Sequence, residues 1–372
     1  MPSIAAVGPP QPSPEPAVAG GRDERLDLLR GLCVFLMLLG HLGWLKLRPH
    51  FQVGFVTAAE GFFVLSGATL ATVYSRYRRD GREGALDRRL SLRALWLWFA
   101  NTTLVLLAYA FEGTGTFPGE YFDRWWRGAP LWLRFASLNQ PSVLHILPRY
   151  SILLLLSPLV LRTLASRFAP LVVLGSLGIW MAHFLDPRGW RMPWLELRHV
   201  AAFPLASWQL LFFGGMALVM LGARRQHQLP RRPWPIGGIA LGAAVALGLE
   251  IYRRRGLPYL GDELRLWLVS QSERHTLGVV RLADFALVAA VLWQAVDRWR
   301  TPITRACGWL VLPLGRNALA SFLLHIPVLW LMNAVPWGAD TTLLRLATAL
   351  AVTVGVARSV TLPRVRKILS PV

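Results

Sequence analysis

Apolar positions recur along the chain in long blocks parted by short polar segments. Ten such runs stand out, at 26–45, 51–74, 92–111, 145–164, 171–185, 203–221, 236–251, 277–296, 309–332 and 343–360. Most are roughly 16 to 24 residues long, enough for a helix to cross a hydrocarbon core of about 30 Å. The runs at 171–185 and 236–251 are the short ones, and a tilted or partly re-entrant course stays open for both. The pattern predicts an all-α fold: a polytopic, integral membrane helical bundle of about ten transmembrane helices.

Charge orients the bundle. The inner segment from the end of the second run to the start of the third holds Arg76, Arg78, Arg79, Arg82, Arg88 and Arg89, with Arg93 just inside the third run, on the same side as Arg22 and Arg25. Basic residues favour the cytoplasmic side of short loops, so both termini are expected to be cytoplasmic. Residues 1–24 read as a Pro- and Ala-rich disordered tail without the basic and apolar regions of a signal peptide. Residues 25–362 read as one transmembrane domain and 363–372 as a short basic tail. The aromatic, Gly- and Pro-containing segment 112–144 is expected at the outer interface.

Composition narrows the class. Only 16% of the residues are charged and 54% are hydrophobic, where soluble domains carry about 25% charged residues. The net charge of +20 raises nucleic acid as a partner, but the arginines cluster between apolar runs rather than in a basic stripe among exposed aromatics, so no nucleic acid is expected. Seventeen tryptophans suit two interfacial belts, and the lipid bilayer is the first partner. Cys33 and Cys307 lack metal-ligand spacing and read as small packing residues. No metal site, P-loop, dinucleotide fingerprint or nucleophile elbow is found.

The stretch LLRGLCVFLMLLGHLGWL places Arg30 and His41 inside an apolar run. Eleven residues make about 1100°, three turns plus about 20°, so both lie on one helix face, about 16 Å apart along the axis. Ionisable groups in hydrocarbon face the bundle interior or a wet cavity. In an antiparallel hairpin turning near 46–50, Glu60 of TAAEGFFVLSG is expected at the depth of His41, where it would orient the ring and leave the other nitrogen as a base. The same pair also reads as a buried bridge between two helices or as a proton relay.

Other intramembrane polar groups carry open readings. His145 and Arg149 stand one turn apart at the start of the fourth run and suit either snorkelling or substrate contact. Trp208 and Gln209 begin the sixth, where Gln209 suits interhelical bonding better than ligand contact. Arg281 and Asp284 are placed to pair at i, i+3. Arg316 and Asn317 open the last block of the ninth run, with His325 two turns on, and Arg316 suits an anchor or an anion contact.

RGLCVFLMLLGH and FFVLSG resemble the acyltransferase-3 superfamily, the first through its arginine, ten residues, histidine pattern. RLDLLRG, GFVTAAEGFFVLSG, LPRYSILLLLSP, FPLASWQLLFFGG, HTLGVVRLADFAL and LGRNALASFLLH follow one another as OpgC-type blocks do. That family resembles the superfamily and succinylates osmoregulated periplasmic glucans. The chain departs from it at Gly40 and Thr57, where OpgC-type proteins tend to carry acidic residues.

The resemblance implies a multi-pass enzyme of the bacterial inner membrane. Acyl-CoA, with succinyl-CoA the family's donor, is the co-substrate, and no cofactor is bound tightly. The acceptor is a hydroxyl of a periplasmic glycan, and glucan-synthesis membrane proteins are possible neighbours. His41 and Glu60 would be catalytic, Arg30 would guard the tunnel, and Arg88, Arg89 and Arg93 would hold CoA, unless they serve topology alone. Ser66, His145, Arg149, Trp208, Gln209, Arg316 and His325 are candidates along the substrate path. The rival classes are a transporter or flippase using the buried His and Glu, and a non-catalytic partner in a glucan-synthesis complex.

Overall fold

The computed structural model describes residues 23–41, 53–110, 132, 144–187, 203–224, 234–255, 262–333 and 342–369. The described chain is helical, with no strand beyond an isolated Val53–Val56 bridge. Its helices are α1 (Glu24–His41), α2 (Ala58–Arg79), α3 (Glu83–Ala110), α4 (Ile146–Ala165), α5 (Ala169–Leu185), α6 (Leu205–Arg224) and α7 (Ile236–Arg255). They continue with α8 (Asp262–Ser270), α9 (Val279–Arg298), α10 (Arg300–Arg316), α11 (Ala318–Asn333), α12 (Thr342–Ser359) and α13 (Pro363–Leu369).

Each apolar run contains helix. Five helices, α3, α4, α6, α7 and α9, are long and apolar enough to cross a membrane, or up to six elements if the bent α10–α11 pair is one span. That composition makes the chain a multi-pass membrane protein. The bundle also turns large apolar side chains outward, with Phe99, Leu159, Leu174 and Leu241 among the exposed ones, as a lipid-facing surface requires.

Several boundaries differ from the hydropathy pattern. The run at 236–251 belongs to a 20-residue helix, while 171–185 gives a 17-residue helix. The ninth run is not one straight span, because α10 and α11 meet at 92°. Pro313 and Asn317 explain the break: the backbone and side-chain amides of Asn317 both donate to the Pro313 carbonyl, each at 3.1 Å, and the helix starts afresh at Ala318. The third run is the apolar part of a 28-residue helix that begins at Glu83, so Arg88, Arg89 and Arg93 sit on α3 rather than in a loop.

The second run starts later than its apolar residues suggest. Gly54, at φ +61°, turns the chain against the carboxylate of Asp284, and the Phe55 N–H donates to Asp284 Oδ2 at 2.6 Å. Thr57 then caps α2 with Glu60 as its capping-box partner. The segment 363–372, expected as a tail, includes the short helix α13.

Two glycine contacts set the bundle's inner spacing. A Cβ on Gly67 of α2 would overlap the Phe212 carbonyl of α6, and one on Gly215 of α6 would overlap the Val64 carbonyl of α2. The α1–α10 contact repeats the device, with Gly31 against the Val311 carbonyl and Gly315 against the Asp27 carbonyl. Small residues permit this close backbone approach where apolar lipid leaves little hydrophobic drive for helix association. Phe63, Tyr74, Trp208, Phe212 and Phe322 fill the core around these contacts.

Gly214, beside Gly215, has open space where its Cβ would be. Gly215→Ala is therefore expected to destabilise by about 1–3 kcal/mol, the usual cost of overpacking, whereas Gly214→Ala should be neutral or slightly stabilising. Thermal unfolding of the two purified variants measures the difference, and equal midpoints would contradict the glycine contact.

Candidate functional site

At the end of the bundle where α1 starts and α2 hands over to α3, a cavity of about 360 Å³ opens. Arg30, Arg76, Arg89, Arg93 and Arg316 line it, with Asp23 and Asp27. On α2 the lining residues Phe62, Ser66, Thr69, Val73 and Arg76 fall at i, i+4, i+7, i+11 and i+14, one continuous face. Arg89 and Arg93 are four apart on α3 and share a face. Arg88, about 100° away from Arg89, is exposed and is not among the lining residues.

Three of the cavity's arginines are held in place. Arg30 Nε donates to the Gly315 carbonyl at 2.7 Å and its Nη2 to Asp27 Oδ1 at 3.2 Å, so the close α1–α10 approach positions this side chain. Arg89 Nη1 donates to the Tyr77 hydroxyl at 2.5 Å. Arg316 lies 3.7 Å from Glu24 and 3.8 Å from Asp27. Five guanidiniums against two carboxylates leave a positive surplus, and the planar fork of arginine matches phosphate oxygens in bidentate contacts. Arg76 was not singled out in the sequence, although its spacing from Ser66 on α2 signals the shared face. A larger groove of about 880 Å³ between α1, α2, α6 and α9 is lined mostly by apolar side chains such as Leu29, Val64, Val219 and Val288.

Glu60 sits toward the opposite end, fully buried. Its Oε2 accepts from the Thr57 N–H at 2.9 Å and the Thr57 hydroxyl at 2.6 Å. Its Oε1 accepts from Arg281 Nη1 at 2.6 Å, while Arg281 Nε donates to the Ser272 carbonyl at 2.8 Å. The expected Arg281–Asp284 pair is thus replaced by two contacts between elements, Arg281 with Glu60 and Asp284 with Phe55. The hairpin depth is also corrected. Gly61 packs on the Cys33 sulfur, eight residues before His41 and so about 12 Å away along α1. The reason is the folded-back turn at 53–56, which delays α2. His41 closes α1 on the helix that carries Arg30; its side chain lies outside the described residues.

Arg274, in the turn between α8 and α9, stacks its guanidinium 4.5 Å from the Phe203 ring centre and 6.0 Å from that of Trp208. Burial lowers its pKa from the ordinary value, opposed by the charge of Glu60 and reinforced by Arg281; an arginine stays protonated regardless. Between this cluster and the cavity lies an aromatic layer. Phe62 meets Tyr150 at 5.7 Å, Phe63 meets Trp208 at 5.0 Å, and Phe203 meets Trp208 at 4.7 Å.

Of the substrate-path candidates, Ser66 and Arg316 line the cavity, and Trp208 belongs to the aromatic layer. Gln209 is interhelical: its Oε1 accepts from Ser176 Oγ at 2.6 Å, and its Nε2 donates to the Ser176 carbonyl at 2.9 Å. Arg149 Nη1 donates to the His145 carbonyl at 2.9 Å, and both residues are buried. His325, also buried, hydrogen-bonds the Phe322 carbonyl. None of these last four is among the cavity's described lining. A buried Ser207–His183 hydrogen bond of 2.8 Å joins α6 to α5, a pair the sequence pattern did not suggest.

The family model described as OpgC protein matches residues 22–120 and 130–365. No curated protein and no solved structure matches the chain.

Removing one partner of a buried ion pair costs about 3–5 kcal/mol. Arg281→Met is expected to destabilise on that scale, Glu60→Gln comparably, and the double variant by clearly less than the sum. Chemical denaturation of the four proteins tests the coupling; strict additivity would mean that the two side chains do not support each other.

Proposed function

The chain belongs to the OpgC family, and from that membership and the arginine cavity we propose a membrane O-acyltransferase. Its donor is acyl-CoA, with succinyl-CoA the family's choice, and its acceptor is a hydroxyl of a periplasmic glycan. The protein resides in the bacterial inner membrane, with about ten spans and both termini cytoplasmic. One observation carries this reading: five guanidiniums line a cavity on the face of α1 that, three turns later, reaches His41. A polyanionic CoA headgroup suits that cavity, and its pantetheine arm would extend toward Ser66 and Tyr150.

In the proposed reaction His41 takes the proton of the acceptor hydroxyl as that oxygen attacks the thioester carbonyl carbon. The carbon–sulfur bond breaks, an ester forms, and the proton passes to the departing CoA thiolate. Imidazole can both accept and return a proton near neutral pH, which suits both transfers. Glu60, held by Arg281 and Thr57, acts here as a positioning residue rather than as a direct partner of the base. Phe62 and Tyr150, whose ring centres lie 5.7 Å apart, line the cavity, and the thioester would pass them on the way to His41.

A transporter is the second reading, favoured by the 92° break between α10 and α11, since transporters often build sites on interrupted helices. Movement of a glycan or its precursor without consumption of acyl-CoA would support it.

Vesicles carrying the purified protein, supplied with acyl-CoA and a glucan, test the proposal by mass analysis of the glucan. His41→Ala is expected to lose transfer by about 10²–10⁴-fold while folding normally; undiminished transfer would remove the mechanism. Arg89→Ala and Arg93→Ala should raise the acyl-CoA KM by roughly tenfold, with Arg88→Ala unchanged. Equal effects at all three positions would dissociate the cavity from donor binding.

A further inference from the structure

The Glu60 end of the bundle holds two buried donors with unmade hydrogen bonds. Arg274 Nε and Trp208 Nε1 are both buried without a hydrogen-bond partner. Trp208 is fully buried, and the Arg274 guanidinium lies over its ring and that of Phe203. Arg281 is in direct contact with Glu60 and Arg274 is near enough to feel its charge, while the neighbouring carboxylate of Asp284 accepts from the Phe55 N–H. Unmade hydrogen bonds from buried donors are costly. A ligand that removes that cost must accept hydrogen bonds, and a guanidinium donor favours one that carries negative charge.

The turn that presents Arg274 is built against strain. Leu277 is buried with φ at +49°, a conformation that branched apolar side chains rarely adopt. The backbone is held there from several sides. Trp180 Nε1 donates to the Thr276 and Leu277 carbonyls at 3.0 and 3.2 Å, and the Val280 N–H donates to the Gln271 carbonyl at 3.1 Å. Gly278 lies so close to the Gln271 carbonyl that no side chain fits. Strained backbone kept by such over-determined contacts concentrates at ligand sites.

We infer that Arg274 and Trp208 Nε1 form a buried oxyanion subsite beside the Glu60–Arg281 pair, taking a carboxylate or phosphate group of the substrate. The subsite deepens the acyl-transfer proposal and rests on it for the identity of the molecule that carries the anion. The carrier is either the far end of an acidic acyl group or an anionic substituent of the acceptor. The aromatic rings cover a face of the guanidinium and leave the ligand an in-plane approach, where the guanidinium N–H groups point.

Thermal unfolding of the full-length protein in detergent, with succinate or inorganic phosphate as probe and butanediol as neutral control, tests the subsite without any need for turnover. An oxyanion should raise the wild-type midpoint, as ligands that bind only the folded state do. Arg274→Gln should weaken apparent anion affinity by roughly tenfold or more. Trp208→Phe, which keeps the ring and loses the donor, should weaken it by less. If no anion shifts the wild type, or if Arg274→Gln responds as the wild type does, the subsite is refuted.

Transfer rates then identify the carrier. A loss of preference for succinyl-CoA over butyryl-CoA in Arg274→Gln places the oxyanion on the donor. An unchanged preference with a raised acceptor KM places it on the acceptor. Absence of transfer from either donor by the wild type defeats the acyl-transfer proposal but leaves the subsite standing on the unfolding result.

Discussion

The closest helix contacts in this bundle are made of backbone against backbone, and the polar chemistry is arranged around them. Gly67 and Gly215 bring α2 and α6 together, and Gly31 and Gly315 do the same for α1 and α10. Carbonyl groups pressed against glycine Cα atoms fix the helices' register as well as their distance. That register lets Arg30 reach the Gly315 carbonyl and aligns the α2 stripe from Phe62 to Arg76 along the cavity. A wider spacing would remove the first contact and disperse the second.

Two charged regions then coexist in one bundle because an aromatic layer keeps them apart. Toward one end, five arginines face two aspartates. Toward the other, Glu60 pairs with Arg281, and Arg274 stacks over Phe203 and Trp208. Charge buried in a medium of low dielectric is tolerated when paired and hydrogen-bonded. The Glu60 carboxylate meets that condition by serving twice, as the cap of α2 and as the partner of Arg281. Its dual service fixes where α2 begins and ties that start to α9.

Several residues were legible only in part. Thr57-Ala-Ala-Glu60 is a capping-box signature in plain sight, yet the apolar residues before it extend the hydropathy run back past the true helix start. Spacing on α3 separates Arg88 from Arg89 and Arg93 once the helix is known to begin at Glu83. With the segment read as a loop, that distinction is invisible. The bend at Asn317 is marked by Pro313, Gly315, Arg316 and Asn317, but the apolar residues on both sides let the run be read as one span. Arg274 gave no local signal, since its meaning comes from Phe203, Trp208 and Glu60, which lie far from it in sequence.

Sequence alone determined the helical class, the membrane setting, the family and the common face of Arg30 and His41. The family follows from the resemblance of ordered motifs; the rest follow from local periodicity or composition, which a helix preserves whatever it packs against. Only the tertiary structure decided which ionisable groups meet. Glu60 pairs with Arg281, Asp284 secures the turn before α2, and Arg88 lies outside the cavity that takes in Arg76. Partner choice among buried charges depends on helix depth and register. Those are set by glycine contacts and turns between segments distant along the chain, which no local pattern encodes.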